Sequence, residues 1–327
     1  MQPRTGQPKK YNMKKAGIIG GSGFIGSYNT KKILGEGYKV KVSATDISKK
    51  EKYEHLKQLS NSENLEIAPL NVENKTQLKD FLKGCNIVVL GGTPFQLDVT
   101  DPKTELFDPT IKGTENFLEI ILKTSGIEKL LFIASVAVVN TNFPLLPGNK
   151  NQDDQIDERD SFMSEESHPY TQAKFIANQT VEKFIADDPS LSFEISTVPP
   201  VWVVGKALSQ REDSTSTGMQ FLFKNKIAPN PFVQMMHDNN VDFGLVDVED
   251  VADGVADGVY KAATTKKIHG KNYLLSSESY RVSDISLMLN NQEPESNPHT
   301  VYRNDLAKKE LGIDFKPAHV PLNNYSN

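Results

Sequence analysis

Short apolar segments alternate with amphipathic segments along the first 200 residues, and this alternation restricts the fold more than any other feature of the sequence. Strands are predicted at 16–20, 38–45, 65–72, 86–92, 129–139 and 192–198. Helices are predicted between them, including a polar helix at 48–60 and a long helix at 103–124 whose apolar residues recur every three or four positions. Six such alternations predict an α/β fold, with a parallel sheet that carries helices on both faces.

A glycine-rich loop, "GGSGFIG", lies between the first predicted strand and the first predicted helix. It can be parsed as Gly21-x-Gly23-x-x-Gly26 or as Gly20-x-x-Gly23-x-x-Gly26. Glycines there allow a tight turn and let a pyrophosphate approach the helix N-terminus. Because the loop lies at the first strand–helix turn of an alternating chain, it predicts a dinucleotide site and a Rossmann-type, doubly wound parallel sheet.

The alternation stops after residue 199, where the sequence predicts a smaller lobe. Residues 221–240 have no clear period, 248–263 predict a helix, and the last 50 residues are irregular. We therefore expect a disordered extension, a dinucleotide-binding domain, and a C-terminal lobe that mainly binds substrate, part of which packs back on the sheet. The expected ranges are 1–13, 14–199 and 200–327, with 243–263 packing back.

The tip of the second strand determines which dinucleotide binds. The chain reads "SATDISKK", which places Thr45 at the tip, Asp46 one step further and Lys49 beyond. A small residue followed by lysines admits a 2′-phosphate, whereas an inward carboxylate repels one and instead holds the ribose hydroxyls. The pattern favours NADP(H), and NAD(H) stays open.

Tyr-x-x-x-Lys occurs four times and marks a candidate active site only with further support. The four pairs are Tyr11/Lys15, Tyr28/Lys32, Tyr53/Lys57 and Tyr170/Lys174. Residues four apart share one face of a helix, so each pair alone is most simply a tyrosine with a lysine on the next turn.

Seven stretches in order resemble the extended short-chain dehydrogenase/reductases, in the dihydroflavonol 4-reductase-like branch of the NAD-dependent epimerase/dehydratase superfamily. They are "GGSGFIGS", "LKGCNIVVLGGTP", "DPTIKGTENFLEI", "KLLFIASVAVVN", "PYTQAK", "TVPPVWVVG" and "GLVDVEDVADGV". In that family a strand-end serine or threonine precedes the Tyr/Lys pair. Ser135 has this place, 35 residues before Tyr170, so the resemblance selects Tyr170 and Lys174.

The resemblance and the chemistry together assign roles. A free tyrosine has a pKa of about 10, and we expect the Lys174 ammonium to lower the pKa of Tyr170. Tyr170 would then protonate the substrate oxygen while hydride reaches the carbonyl carbon. Ser135 would hydrogen-bond that oxygen, and Lys174 would also hold the nicotinamide ribose. Asn116 matches a family asparagine, with a proton-relay role or a purely structural one.

The resemblance also implies the remaining site residues. The full set of expected cofactor contacts, including those already named, is Gly20, Gly23, Phe24, Ile25, Gly26, Thr45, Asp46, Lys49, Asn71, Val72, Gly91, Gly92, Thr93, Tyr170, Lys174, Pro200 and Val203. The expected substrate contacts are Phe95, Asn140 and Trp202. The chain departs from the family at Thr45, where plant reductases carry arginine, and at Asn71, where an acidic residue is common.

Composition excludes several other classes of protein. The 37 basic and 42 acidic residues form no basic stripe, which argues against nucleic acid as a partner. No apolar run approaches the length of a membrane span, and the six histidines lack metal-ligand spacing. A single cysteine indicates a reducing compartment. We expect a cytoplasmic enzyme without a metal site, acting on a small carbonyl or alcohol and able to form a homodimer.

Three functions compete at this point. The favoured one is an NAD(P)-dependent reductase of a ketone or aldehyde, or the reverse dehydrogenase. A sugar-nucleotide epimerase or dehydratase would use the same fold and hydride chemistry but would recycle its cofactor. A regulatory protein that senses the cofactor would typically lack the tyrosine, which this chain has.

Overall fold

The computed structural model describes residues 13–91, 100–151, 153–210, 214–260 and 268–325. Within these ranges, seven parallel strands form one sheet in the order β3-β2-β1-β4-β5-β6-β9. Its strands are β1 Lys15–Ile19, β2 Lys39–Ala44, β3 Leu65–Pro69, β4 Ile87–Leu90, β5 Lys129–Ile133, β6 Glu194–Val198 and β9 Lys271–Asn272. The predicted α/β class and doubly wound sheet are confirmed.

Helices cover both faces of this sheet. They are α1 Phe24–Gly35, α2 Glu54–Lys57, α3 Lys75–Leu82, α4 Asp108–Leu122, α5 Pro169–Asp187 and α8 Val248–Tyr260. Helices α1 and α8 pack together on one face, and α3, α4 and α5 pack side by side on the other. Side chains alternate along each strand, so β5 sends Leu131 into one core and Leu130 into the other.

A second sheet organises the smaller lobe. It consists of β7 Trp202–Val204, β8 Asp242–Asp247 and β10 Glu278–Arg281, in the order β10-β8-β7. Its helices are α6 Thr215–Asn225, α7 Pro231–Asp238, α9 Val282–Leu289, α10 Asp305–Leu311 and α11 His319–Asn324. Trp202, Phe223 and Phe243 form an aromatic cluster with ring centroids 5.2–5.5 Å apart in a third core.

The chain crosses between the two lobes several times. Helix α8 follows β8 of the small sheet directly and packs against α1 and β5 of the large one. Strand β9 then pairs with β6 before the chain returns to the small sheet at β10. The lobes are therefore joined by several crossings of this kind rather than by one linker.

Several predicted elements differ from the structure. The predicted strand 129–139 ends at Ile133, because Ser135 caps a 3-10 turn at Val136–Val138. The polar helix predicted at 48–60 is only a 3-10 turn followed by α2, with little apolar surface to bury. The long helix 103–124 begins with a π-helical turn at Lys103–Phe107.

No helix in the described part of the chain combines the length and the apolar character that crossing a membrane requires.

Candidate active site

The glycine loop joins β1 to α1 with a backbone that only glycine allows. Gly20 has φ +81°, in the left-handed region that side chains other than glycine rarely adopt. A Cβ on Gly26 would lie 2.0 Å from the carbonyl oxygen of Gly20, so the first turn of α1 packs directly on the loop. The amide of Gly23 donates to Gly20 O at 3.1 Å, which closes the turn. The N-terminus of α1 therefore opens onto bare backbone, and this fits the diphosphate of a dinucleotide.

Two serines that the sequence analysis missed support this loop. Ser43, near the end of β2, accepts a hydrogen bond from the Gly20 amide at 3.0 Å. Ser27 Oγ donates to Gly23 O at 2.7 Å and lies 2.8 Å from His55 Nε2 on α2. These contacts join β2 and α2 to the loop. Only the spacing of Ser27 one turn after Gly23 was available in the sequence to indicate them.

The tip of β2 carries the residues predicted to distinguish the two dinucleotides. Thr45 and Lys49 are exposed. The Asp46 carboxylate accepts from the Ser48 amide at 3.0 Å and from Ser48 Oγ at 2.6 Å. The hydrogen bonds from Ser48 lower the pKa of Asp46, and Lys49 Nζ lies 4.0 Å from it. Asp46 is thus engaged by its own turn, while Thr45 and Lys49 face solvent.

The third and fourth strands end at the same edge of the sheet. Asn71 Oδ1 accepts from the Glu73 amide, so its side chain shapes the turn after β3. Val72 lines a cavity of about 520 Å³ that also reaches Lys174. A Cβ on Gly91, after β4, would lie 3.1 Å from Ile133. Gly92, Thr93 and Phe95, predicted to contact cofactor or substrate, lie outside the described residues.

Tyr170 and Lys174 lie in the first two turns of α5. The helix begins at Pro169 because His168 Nδ1 accepts from the Tyr170 amide at 3.2 Å and proline suits the first helical position. Lys174 Nζ lies 5.5 Å from the centroid of the Tyr170 ring. Helix α5 packs against the 3-10 turn that follows Ser135, so the serine and the pair belong to one region.

Two further groups complete this region. Ser135 Oγ accepts from the Ala137 amide at 3.3 Å, which holds the serine at the end of β5. Asn116 of α4 lines the same cavity as Lys174 and Ala134, the residue before Ser135. The structure therefore brings two of the four predicted catalytic residues, Asn116 and Lys174, to one cavity, and Ser135 directly follows Ala134 in its lining.

Burial controls the protonation of the pair. It raises the pKa of Tyr170 to about 12 and lowers the pKa of Lys174 to about 8. The pKa of Tyr170 is thus raised rather than lowered as expected, because burial desolvates the phenolate. With its lowered pKa, Lys174 can exchange a proton near neutral pH.

Three residues predicted to contact substrate or cofactor, Asn140, Pro200 and Val203, are buried. Asn140 is 0% exposed, and its Nδ2 donates to Leu145 O at 2.8 Å and to the Tyr302 hydroxyl at 2.9 Å. This engagement fixes the loop after β5, and the contact of Asn140 with substrate stays a prediction. Pro200 accepts from the Val136 amide at 2.8 Å, and Val203 packs in the core.

Trp202 is 8% exposed, and its indole Nε1 has no hydrogen-bond partner among the described residues. Its ring contacts Phe223 and Phe243, so in this structure it is a core residue of the small lobe. Within the described ranges, His, Cys, Asp and Glu form no group of three or more that could hold a metal ion.

The fold and the site are typical of a dinucleotide-binding oxidoreductase of the Rossmann type. Comparison with known proteins agrees with this class. The chain belongs to the NAD dependent epimerase/dehydratase family, whose model matches residues 16–274. It is 26% identical to cinnamoyl-CoA reductase CAD2 of Medicago truncatula over 317 residues, covering 93% of this chain and 92% of the relative. It is 24% identical to anthocyanidin reductase of Arabidopsis thaliana over 307 residues, covering 92% and 86%.

The fold also matches solved structures. Gre2 from Candida albicans, solved in complex with NADPH, superposes with a TM-score of 0.78 at 21% identity. The match covers 96% of this chain and 97% of Gre2. The predicted family and fold are therefore confirmed.

Proposed function

We propose that this protein is an NADP(H)-dependent oxidoreductase that reduces a ketone or aldehyde of a small molecule to an alcohol, or catalyses the reverse reaction. One observation carries the proposal: Tyr170 and Lys174 share a face of α5 beside Ser135, at the sheet edge where the glycine loop also lies. The similarity to two plant proteins named as reductases supports a carbonyl substrate.

The chain's own residues carry the acid–base part of the reaction. A bound reduced nicotinamide supplies the hydride. Tyr170, which burial keeps protonated, donates its proton to the carbonyl oxygen. Ser135 donates a second hydrogen bond to that oxygen and stabilises its developing charge. Lys174 would hold the nicotinamide ribose beside Tyr170.

The glycine loop and the N-terminus of α1 would hold the diphosphate. At the tip of β2, Asp46 is held by Ser48, and Lys49 is exposed with its Nζ 4.0 Å from Asp46, so the tip has an exposed cation and an occupied carboxylate. This arrangement supports NADP(H) over NAD(H), because Lys49 would be available to pair with a 2′-phosphate while the Asp46 carboxylate is held by Ser48.

The epimerase or dehydratase alternative is not favoured, since the curated relatives reported above are reductases. A regulatory protein that senses the cofactor would not need Ser135, Tyr170 and Lys174 together.

The substrate is proposed to lie between the sheet edge and the lobe of residues 200–327, with Phe95 and Trp202 as predicted contacts.

A cytoplasmic location and a homodimer remain part of the proposal. Helices α4 and α5 pack side by side and form the proposed dimer face. Light scattering on the purified protein should give twice the monomer mass, and a monomer would remove the dimer from the proposal.

Thermal melting with NADPH, NADH or no ligand tests the cofactor. A ligand at 100 times its Kd stabilises a protein by about 2.7 kcal/mol, so binding should raise Tm clearly. We expect the larger shift with NADPH. A larger shift with NADH would reverse the assignment at the tip of β2, and no shift with either would contradict the dinucleotide site.

The activity is tested by loss of NADPH absorbance with a panel of aliphatic and aromatic ketones and aldehydes that includes isovaleraldehyde. Turnover of a carbonyl without added sugar nucleotide supports the reductase. NADPH binding without oxidation by any carbonyl of the panel, together with epimerisation of a sugar nucleotide, would replace it by the alternative.

A further inference from the structure

A second cavity, of about 200 Å³, adjoins α5 and has no part in the proposed reaction. Three of its lining residues are apolar and buried: Val138, Val139 and Phe175. Polar lining residues come from the loop after β5, from α5 and from β9. Those that matter here are Glu158, Arg159, Asp160, Asn178, Glu182 and Asn272. The cavity therefore combines a buried apolar wall with several charged and amide groups.

Two of the charged lining residues are already paired. Asp160 lies 2.8 Å from Lys150 Nζ. Arg159, which is exposed, donates from its Nε to Asp157 at 2.9 Å. These two pairs neutralise each other's charges locally, so they neither attract nor repel an ion that enters the cavity strongly.

The other two carboxylates of the cavity have no cationic partner. Among the described residues, no lysine, arginine or histidine forms an ion pair with Glu158 or Glu182. Burial raises the pKa of Glu158, because its charged form is desolvated there. Glu182 Oε1 accepts from Asn178 Nδ2 at 2.8 Å and from Asn272 Nδ2 at 3.0 Å. The cavity thus has an excess of negative charge that a bound cation would compensate.

An acceptor in the cavity wall is also unsatisfied. Asn178 is 6% exposed, and its Oδ1 is buried without a hydrogen bond from any described residue. Its Nδ2 bonds to Glu182 of the same cavity, so the amide group lies in the wall of this cavity. A buried amide oxygen without a donor is costly. This oxygen, independently of the carboxylates, indicates a ligand that donates hydrogen bonds.

We propose that this cavity binds the ammonium group of a small primary alkylamine. A primary ammonium has a positive charge and three donors, which suit the carboxylates of Glu158 and Glu182 and the amide oxygen of Asn178. The alkyl chain would pack on the apolar wall. A metal ion fits less well, because His, Cys, Asp and Glu of the described ranges form no group of three or more that could hold one.

The size of the cavity limits the ligand. Pockets for drug-sized molecules have volumes of about 300–1,000 Å³, and this cavity is smaller. It suits an amine with a few carbon atoms. Asn178 follows Lys174 by four residues and also lines the larger cavity, so the amine would bind beside the proposed active site. The amine site itself does not depend on the proposed function, since it contains neither Ser135 nor Tyr170 nor Lys174.

The first test uses three probes on the full chain without cofactor at pH 7. They are n-propylammonium, its neutral counterpart n-propanol, and propyltrimethylammonium, which keeps the charge but has no N–H donor. Ligand-observed NMR titration measures the three affinities. We expect n-propylammonium to bind at least about tenfold more tightly than either of the others, because only it supplies both charge and donors.

The second test uses variants. Glu158→Gln and Glu182→Gln each remove one charge, and the second keeps an acceptor for Asn178 and Asn272. Each should weaken n-propylammonium binding by about tenfold, since a charge-assisted hydrogen bond becomes a neutral one. Asn178→Leu should do the same. The matched control is Glu166→Gln, which removes an exposed carboxylate outside the cavity and should leave the affinity unchanged.

Several results would overturn the amine site. Equal binding of n-propanol would show an apolar cavity without preference for a cation. Displacement of n-propylammonium by millimolar MgCl₂, but not by NaCl of the same ionic strength, would assign the cavity to an inorganic cation. No binding of n-propylammonium, or equal weakening in Glu166→Gln, would leave no site at all. If Asn178→Leu does not fold, the two glutamate variants decide.

Discussion

At the scale of single residues, burial rather than pairing sets the chemistry of the proposed site. Tyr170 stays protonated far above neutral pH, and Lys174 loses its proton more readily than a free lysine. Both shifts have the same cause, desolvation of the charged form. The protein without cofactor is thus prepared to donate a proton, and the charge of a bound ligand must supply what favours the phenolate.

Tyr170→Phe should lower kcat by about 10²–10⁴, because it removes the general acid and little else. The melting shift with NADPH should persist. Tyr28→Phe is the matched control, since Tyr28 belongs to the same Tyr-x-x-x-Lys pattern and donates only to Lys206 O at 2.7 Å in this structure. Steady-state kinetics on both variants test the role of Tyr170 as general acid, and equal losses of kcat would refute it.

Lys174→Met should change how stability depends on pH. The folded pKa is about 8 and the ordinary value is 10.5, so between these values the unfolded chain binds more protons. Stability of the unchanged protein should therefore rise with pH from about 8 to 10 relative to Lys174→Met. Urea unfolding of the cofactor-free proteins at several pH values measures this. Parallel stability curves would contradict the lowered pKa.

At the scale of elements, strand ends and helix starts could be predicted where the residues allow only one backbone conformation. The glycine loop and the start of α5 at "HPY" were predictable, because a left-handed glycine and a proline at the first helical turn leave few alternatives. Asn140 could not be placed, because its engagement depends on Tyr302, 162 residues away.

Gly26→Ala should weaken NADPH binding by at least tenfold, because the new methyl group meets the Gly20 carbonyl and must push α1 away from the loop. Gly35→Ala, at the other end of the same helix, has no atom within 4 Å of the new Cβ. It should stabilise the fold by up to about 1 kcal/mol. Titration of NADPH fluorescence measures the affinity. Equal affinities for both variants would show that the close packing is not required.

At the scale of the whole molecule, the small lobe was the hardest part to predict. Helices α6 and α7 were not predicted, because some of their apolar residues are buried and others are exposed. Phe223 and Met236 are buried, whereas Phe221 and Phe232 are 53% and 55% exposed. The exposed phenylalanines stand near buried apolar residues in the sequence, so the stretch 221–240 shows no single repeat, although α7 has an apolar face that carries Val233 and Met236. The short β9 was missed for a related reason, since two residues carry no period at all.

The C-terminal segment is held on the rest of the molecule by Lys316. Its Nζ lies 2.9 Å from Asp247 and 2.6 Å from Glu249, and its amide donates to Asp250 at 2.8 Å. These carboxylates raise the pKa of Lys316, and burial raises the pKa of Asp250 to about 7.

Lys316→Met should destabilise the protein by about 1–3 kcal/mol, because the buried Asp247 carboxylate loses its cationic partner. Lys183→Met removes an exposed ion pair with Asp187 and should cost less than about 1 kcal/mol. Urea unfolding at neutral pH compares the two. A smaller loss of unfolding free energy for Lys316→Met than for Lys183→Met would show that the contacts of Lys316 do not hold the C-terminal segment.

The repeated crossing of the chain between lobes has a consequence for synthesis. Helix α8 and strand β9, which complete one face and one edge of the large sheet, come from residues 248–272 of 327. A nascent chain that has emerged only to the end of β6 has no partner for the outer edge of that strand and exposes the surface of α1 that α8 later covers. The chain must therefore be synthesised at least to residue 272 before the large sheet can close, and until then the edge of β6 and the α8-facing surface of α1 stay exposed.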